Sequence, residues 1–215
     1  MKSEIYNVKC AKSGTLRFGV PSAMASFDFP KIIMRFRTLY PDITLSIQEF
    51  GARSLENMIV TGDLDVAISL HPILPPDLSE IPLISDQFAC AVAPDHPLAK
   101  KDSVSIQDLE PYPVNTWPED FAFYQILISK FRENGLQITP NITCSNNDFL
   151  LSLSRISQDV CVLPRPVIKR HEHTGLNIIP FKPGLPWELC IVFKKNAPML
   201  EKMRALILCM QSEIQ

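Results

Sequence analysis

The stretch Leu64-Asp-Val-Ala-Ile-Ser-Leu70 is short and almost continuously apolar. Such a run is typical of a strand that is buried on both faces of a parallel sheet. Upstream of it, residues 15–20 and 43–47 predict two further strands, and a segment with helical apolar spacing follows each of them. The resulting β-α-β-α-β order in about 55 residues predicts a parallel sheet with helical crossovers.

The two crossover segments carry their own stop signals. Apolar residues recur at helical spacing from Phe29 to Leu39, and Pro41 ends that helix because proline cannot continue it. Leu55, Met58 and Ile59 mark the second helix, which Gly62 closes as a C-terminal glycine.

A second α/β set follows a proline-rich interruption. Residues 93–118 contain five prolines and therefore predict turns and loops. The later apolar runs predict a helix at 121–131 with Gly135 as its cap, strands at 88–92, 138–144, 160–163, 178–179 and 189–193, and helices at 149–156 and 199–210. The chain is thus predicted to form two α/β lobes, and ligands favour the interface between domains.

Composition limits the function classes. The chain has 215 residues, a hydrophobic fraction of 46%, a charged fraction of 20% and a net charge of -2. These values are typical of a folded soluble protein. A domain that binds DNA through phosphates should carry a basic excess, which is missing here, so we do not expect this part of the protein to bind DNA.

Export, membrane and metal signals are weak. No apolar run reaches the roughly 18 residues of a membrane span, and the first residues lack the apolar core of a secretion signal. The six cysteines lie at least 17 residues apart, which argues against zinc or redox pairs. We expect reduced, buried cysteines in a cytoplasmic chain, and neither a metal nor a cofactor.

Several short motifs occur along the chain in the same order as in a known protein family. They are Gly14-Thr-Leu-Arg-Phe-Gly19, Phe36-Arg-Thr-Leu-Tyr-Pro41, Gly62-Asp-Leu-Asp-Val-Ala-Ile68, Val92-Ala-Pro-Asp-His-Pro-Leu98, Ser105-Ile-Gln-Asp-Leu109 and Val162-Leu-Pro164. Together they resemble the effector-binding domain of LysR-type transcriptional regulators, from residue 14 to about residue 210. Two departures stand before the last motif, where Ser157 and Asp159 replace glycines. Asp159 must then adopt a glycine-like backbone, or the turn differs locally.

The resemblance implies a fold class. This is α/β, with two Rossmann-like subdomains joined by two crossover strands, as in type 2 periplasmic binding proteins. Residues 1–13 would be the end of a linker helix and 14–215 the effector-binding domain. Subdomain I would comprise about 14–92 plus 190–215, and subdomain II about 93–189. The DNA-binding winged helix-turn-helix is missing, so the chain is interpreted as a fragment.

The resemblance also implies a ligand site built from three loops after strands. The residues expected to bind are Ser22, Ala23, Met24, Ser69, His71, Trp117, Ser145, Asn146 and Arg165. Ser22 would also cap a helix, whose free N–H groups attract anions. Plain helix caps, a buried loop anchor at Trp117 and a surface salt bridge at Arg165 are the alternatives. The apolar Ala23 and Met24 favour a small organic acid over an inorganic ion.

The predicted function is therefore effector sensing without catalysis, in a homodimer or tetramer with no membrane partner. An effector would shift an equilibrium between lobe orientations through differential affinity. Three alternatives remain open: a transporter's solute-binding protein of the same fold, an enzyme on the same scaffold, for which His71 would be the one acid or base offered, and a dimerisation module without a ligand.

Overall fold

A computed structural model describes residues 13–22, 29–171 and 175–213. The chain divides into two compact units. The first unit is built from the residues up to Ile84 and from Leu189 onward, and the second from Ser85–Glu188. The division predicted from the sequence, near residues 92 and 190, stays a prediction. The predicted linker helix at 1–13 lies almost wholly outside the described residues.

The regular elements alternate along the chain. Their bounds are β1 Gly14–Pro21, α1 Phe29–Leu39, β2 Ile43–Phe50, α2 Ala52–Thr61, β3 Val66–Leu70, β4 Leu78–Val92, β5 Val114–Thr116, α3 Ala122–Glu133, β6 Ile142–Thr143, α4 Asn147–Ile156, β7 Val160–Pro164, α5 Arg165–Lys169, β8 Asn177–Pro180, β9 Pro186–Lys194 and α6 Glu201–Glu213. Strands β4 and β9 each begin in one unit and end in the other.

The sheet of the first unit has the order β2-β1-β3-β9. Strand β1 pairs in parallel with both β2 and β3, as the β-α-β-α-β pattern predicted, while β9 joins β3 antiparallel. All five residues of β3 are buried, which explains its uninterrupted apolar sequence. Gly62 ends α2 in a left-handed conformation (φ 84°) and thus confirms the predicted helix stop.

Asp65, directly before β3, is held to β1 by hydrogen bonds. Its carboxylate accepts bonds from the backbone N–H of Arg17 at 2.8 Å and from the Arg17 guanidinium at 2.6 Å, and its own N–H donates to the Arg17 carbonyl. Burial raises the pKa of Asp65, but the bonds from Arg17 outweigh burial and hold that pKa below its ordinary value. The acid of the motif at 62–68 therefore has a structural role.

The sheet of the second unit is mixed. Strand β4 pairs antiparallel with β7 and β8, and β5 pairs in parallel with β6 and β7. The core holds all of β7 together with Phe88, Trp117 and Phe131.

The observed elements differ from the predicted ones at four places. Strand β4 begins ten residues before the predicted 88, because its first part alternates half-buried and exposed residues and lacks an apolar run. The three-residue strand β5 lies in the segment that the prolines assigned to loops. The strand expected at 138–144 is reduced to Ile142–Thr143, and the five-residue helix α5 was not predicted.

The turn before β7 differs locally from a turn built on glycines. The sequence had allowed either this or a glycine-like backbone at Asp159. Ser157 is extended (φ −130°, ψ 176°), and among the described non-glycine residues the positive φ belongs to Asn196. The Ser157 hydroxyl accepts from the Asp159 N–H at 3.1 Å, and the Asp159 carboxylate accepts from the buried Asn115 amide at 3.0 Å. Side-chain hydrogen bonds thus stabilise this turn, and neither Ser157 nor Asp159 adopts the positive φ that glycine favours.

His96, in the motif at 92–98, is buried and caps a short 3₁₀ turn. Its Nδ1 accepts from the Leu98 N–H at 3.0 Å, and its Nε2 lies 3.3 Å from the Gln158 carbonyl oxygen. This pairing requires the neutral ring with its proton on Nε2, which leaves no free nitrogen for general-base chemistry.

We expect the protein to lose stability in mild acid through His96. Burial lowers the pKa of His96 from 6.5, although the Gln158 carbonyl and Asp95 oppose this shift. The native state then binds a proton less readily than the unfolded chain, so stability is complete above about pH 6.5 and falls as the pH decreases below it. Urea midpoints between about pH 7.5 and 5.5 should fall more steeply for the wild type than for His96→Gln. Equal slopes for the two proteins would contradict this assignment.

Candidate functional site

The first unit places three predicted site residues at the carboxyl ends of its parallel strands. Ser22 follows β1 directly and is exposed, Ser69 is the penultimate residue of β3, and His71 follows β3. Carboxyl ends of parallel strands are where α/β sheets bind ligands. Ala23 and Met24 lie outside the described residues, so the predicted capping role of Ser22 stays a prediction.

The Ser69 hydroxyl is already used inside the unit. Ser69 is fully buried, and its Oγ donates to Glu56 Oε1 at 2.5 Å. Glu56, on α2, is itself 1% exposed and accepts from Arg53 Nη1 at 2.6 Å and from the Leu74 N–H at 3.2 Å. Arg53 also donates to the Pro72 carbonyl at 2.9 Å. This polar cluster (Arg53, Glu56 and Ser69), in which Glu56 and Ser69 are buried and Arg53 is 30% exposed, fixes the loop after β3.

His71 lies at the surface of the same loop. Its side chain is 50% exposed, and Nδ1 lies 3.0 Å from Glu80 Oε1, on β4. The imidazole therefore presents one ring nitrogen to a carboxylate and keeps the other for solvent or a ligand. An exposed pair of this kind contributes little to stability.

In the second unit, Ser145 and Asn146 precede α4. Both are exposed, and Asn146 caps the helix because its Oδ1 accepts from the Phe149 N–H at 3.0 Å. The Asn146 N–H donates to Cys144 Sγ at 3.4 Å. Asn146, which was predicted as a ligand contact, thus caps α4, and the Ser145 side chain is exposed beside it.

Trp117 lies under this loop. It is 0% exposed, and its Nε1–H donates to Asn147 Oδ1 at 2.8 Å. The alternative of a buried loop anchor therefore describes its position, and we assign Trp117 a supporting role beneath the exposed Ser145 and Asn146.

Arg165 begins α5 and pairs with Asp86 of β4. Its Nε and Nη2 both lie 2.9 Å from Asp86 Oδ1, and the guanidinium remains 42% exposed. A cation that is paired through one carboxylate oxygen and half exposed keeps donors for an anionic ligand. Its role as a ligand contact stays a prediction, and the salt bridge is present.

Sequence reasoning missed the groups that support the site. Arg53 and Glu56 lie on a helix that was predicted only from its apolar residues, and Asp86 lies in a segment for which no strand was predicted. A signal was available for one pair, because Arg53 and Glu56 stand three residues apart on one helix face. The burial of Glu56 depends on tertiary packing against β3, which no local pattern shows.

The buried cysteines are poorly placed for thiolate chemistry. Cys90, Cys161 and Cys190 are buried free thiols, and burial raises the pKa of each, so thiolate chemistry is disfavoured. Within the described ranges, no group of three or more His, Cys, Asp and Glu residues is arranged to hold a metal ion.

No helix among the described residues combines the length and the apolar composition that crossing a membrane requires.

Two α/β units joined by two shared strands define the class of two-unit ligand-binding domains with a periplasmic-binding-protein-like fold. A family model described as the LysR substrate binding domain matches residues 11–215. The chain belongs to this family, as the resemblance predicted.

Named relatives are similar to this chain over part of their own length. The uncharacterized HTH-type transcriptional regulator YwbI of Bacillus subtilis is 23% identical over 86% of this chain and 62% of its own length. The HTH-type transcriptional regulator CysB of Haemophilus influenzae is 31% identical over 70% of this chain and 47% of its own length. The chain thus spans about half to three fifths of these regulators.

The fold is also similar to a solved structure. The effector-binding domain of QuiR in complex with shikimate has a TM-score of 0.82 at 20% identity, covering 94% of this chain and 97% of that one. This likeness confirms the predicted fold class.

Proposed function

We propose that this chain is the effector-sensing part of a LysR-type DNA-binding transcriptional regulator. The observation that carries the proposal is the family match over 11–215, together with exposed polar groups after the strands. DNA would be bound by an N-terminal winged helix-turn-helix in the complete protein, which would act in the cytoplasm. The match favours a regulator over the alternative of a transporter's solute-binding protein.

The effector is proposed to be a small organic acid. Its direct contacts would be the exposed Ser22 and His71 in the first unit and Ser145, Asn146 and Arg165 in the second. Ala23 and Met24 would contact its apolar part. Ser69 and Trp117 would act beneath these contacts. No catalysis is proposed, because the family match is to a substrate binding domain and the named relatives are transcriptional regulators.

A ligand that binds the folded state raises thermal stability by mass action. We expect small carboxylates, tested as a panel that includes shikimate and benzoate, to raise the melting temperature with increasing concentration. Ser145→Ala should reduce the rise, because it removes an exposed hydroxyl beside the Asn146 cap. Ser152→Ala, which alters an exposed serine farther along α4, is the control. A panel with no effect, or equal loss in both variants, would argue for a module without an effector at this site.

We further propose that the chain forms a homodimer through the edges of its two sheets. In the first unit, an apolar groove of about 310 Å³ lies between α1 and β2 and includes Met34, Ile47 and Glu49. Met34 is 59% exposed, and among the described strands β2 pairs only with β1. Edge strands with exposed apolar residues are ready to pair with another chain.

The second unit offers a counterpart to this groove. A groove of about 300 Å³ beside α3 is lined by Tyr124, Ile128 and Arg132 and by residues 136–139. In a two-fold dimer, the first groove of each copy would contact the second groove of the other. Glu49 and Arg132 provide opposite charges for that contact.

We expect Met34→Asp to weaken dimerisation at least about tenfold, or 1.4 kcal/mol, by placing a charge in the apolar contact. Glu49→Arg and Arg132→Glu should each weaken it, and the double variant should recover. Sedimentation velocity across a concentration series measures the effect. Ile156→Asp, at an exposed residue of α4, is the control. A monomeric wild type, or a Met34→Asp protein with wild-type association, would refute this arrangement.

A further inference from the structure

Trp117 connects the α4 loop to the interior of the second unit. Its Nε1–H donates to Asn147 Oδ1 at 2.8 Å. Asn147 is the first residue of α4 and follows the proposed ligand contacts Ser145 and Asn146 directly. A movement of that loop therefore acts on the Trp117 indole through one hydrogen bond.

Two further aromatic rings continue from Trp117 through the core. The ring centroids of Trp117 and Phe123 lie 4.8 Å apart, and those of Phe123 and Trp187 lie 5.4 Å apart in an edge-to-face arrangement. All three side chains are almost completely buried. Trp187 is the second residue of β9, and β9 continues into the first unit from Leu189 onward.

The two tryptophans differ in how they are held. The Nε1–H of Trp117 has its acceptor in Asn147, whereas the buried Nε1–H of Trp187 has no hydrogen-bond partner among the described residues. The Trp187 ring is thus held by packing alone. Because protein interiors are close-packed, a turn of Trp117 must displace Phe123, and the Trp187 ring must follow.

We propose that Trp117 is a positioning residue that acts through Asn147, and that the aromatic chain Trp117–Phe123–Trp187 transmits the state of the 145–147 loop to strand β9. This inference rests on the proposed effector function, because it supplies the route by which ligand contact at Ser145 and Asn146 reaches the strand shared by the two units. Asn147, Phe123 and Trp187 thereby gain roles beyond the predicted site.

The sequence contains two tryptophans, so the indole N–H region of a ¹H–¹⁵N spectrum has two signals. Trp117→Phe and Trp187→Phe assign them. Asn147→Leu keeps the side-chain shape but removes the acceptor, and we expect it to shift both signals by more than a peak width. Asn147→Asp retains an acceptor oxygen and should leave the Trp187 signal near its wild-type position.

Asp148→Asn is the matched control, because it changes the next side chain of α4, which pairs with His171. It should move neither indole signal. If Asn147→Leu loses its folded spectrum, Asn147→Ala also removes the acceptor and gives the same comparison with a smaller side chain. A Trp187 signal that stays in place, whether or not the Trp117 signal moves, would overturn the inference. The experiment uses no effector, so its failure is distinct from failure of the proposed ligand binding.

Discussion

Arg53→Met is expected to lower the free energy of unfolding by about 3–5 kcal/mol. The substitution keeps the aliphatic stem of the arginine but leaves the Glu56 carboxylate, which is 1% exposed, without its counter-charge. A buried charge that loses its partner is far more costly than a lost surface pair. The midpoint of a urea titration followed by far-ultraviolet circular dichroism measures the change, since both tryptophans lie in the second unit and fluorescence would report there.

The relative stabilities of the variants test whether the unpaired Glu56 carboxylate causes the loss. Glu56→Gln removes the buried charge itself and should cost less, about 1.5–3 kcal/mol for hydrogen bonds to a charged group. The double variant should therefore be more stable than Arg53→Met alone. Arg204→Met is the matched control, because Arg204 and Glu201 also stand three residues apart but are both more than half exposed. It should cost at most about 1 kcal/mol. An Arg53→Met protein as stable as this control would show that the cluster does not carry a buried charge.

The same cluster shows what sequence reasoning could and could not reach. The strand that contains Ser69 was predicted from its apolar run, and its position in the sheet follows from the β-α-β pattern. Ser69 was then predicted as a ligand donor because the family resemblance implies that residues 69–71 line the ligand site. The structure instead pairs its hydroxyl with Glu56, thirteen residues earlier. The choice between these roles depends on which helix residue faces the strand end, and that is decided by tertiary packing.

The second unit gives the complementary case. Ser145 and Asn146 were predicted from the family resemblance, which implies that the segment before this helix lines the ligand site, and the structure has both exposed directly before α4. Short elements were the ones missed, because three residues of β5 give no period to detect. Trp117 and Trp187 meet Phe123 only after distant segments have folded together, so their contacts have no local sequence signal.

Gly19→Ala is expected to cost about 2–3 kcal/mol, toward the upper part of the range for overpacked cores. A Cβ atom at Gly19 would lie 2.7 Å from Leu55 Cδ2, 2.7 Å from Leu64 Cδ1 and 2.9 Å from Ala67 Cβ. The leucine tips can turn, but the Ala67 Cβ is fixed to β3, which pairs with β1 at this position. Relief therefore requires the two strands to shift. The urea midpoint followed by circular dichroism should fall, with an unchanged slope.

Gly51→Ala provides the comparison for the same chemical change. Gly51 has φ −62°, and a Cβ built there meets no atom within 4 Å, so alanine fits without strain. Its cost should stay below about 1 kcal/mol, because glycine is a modestly better helix cap than alanine. The difference in the free energy of unfolding between the two variants measures how closely β1 packs against α2 and β3. If Gly19→Ala is no less stable than Gly51→Ala, β1 is not packed this closely, and the glycine of the opening motif requires another explanation.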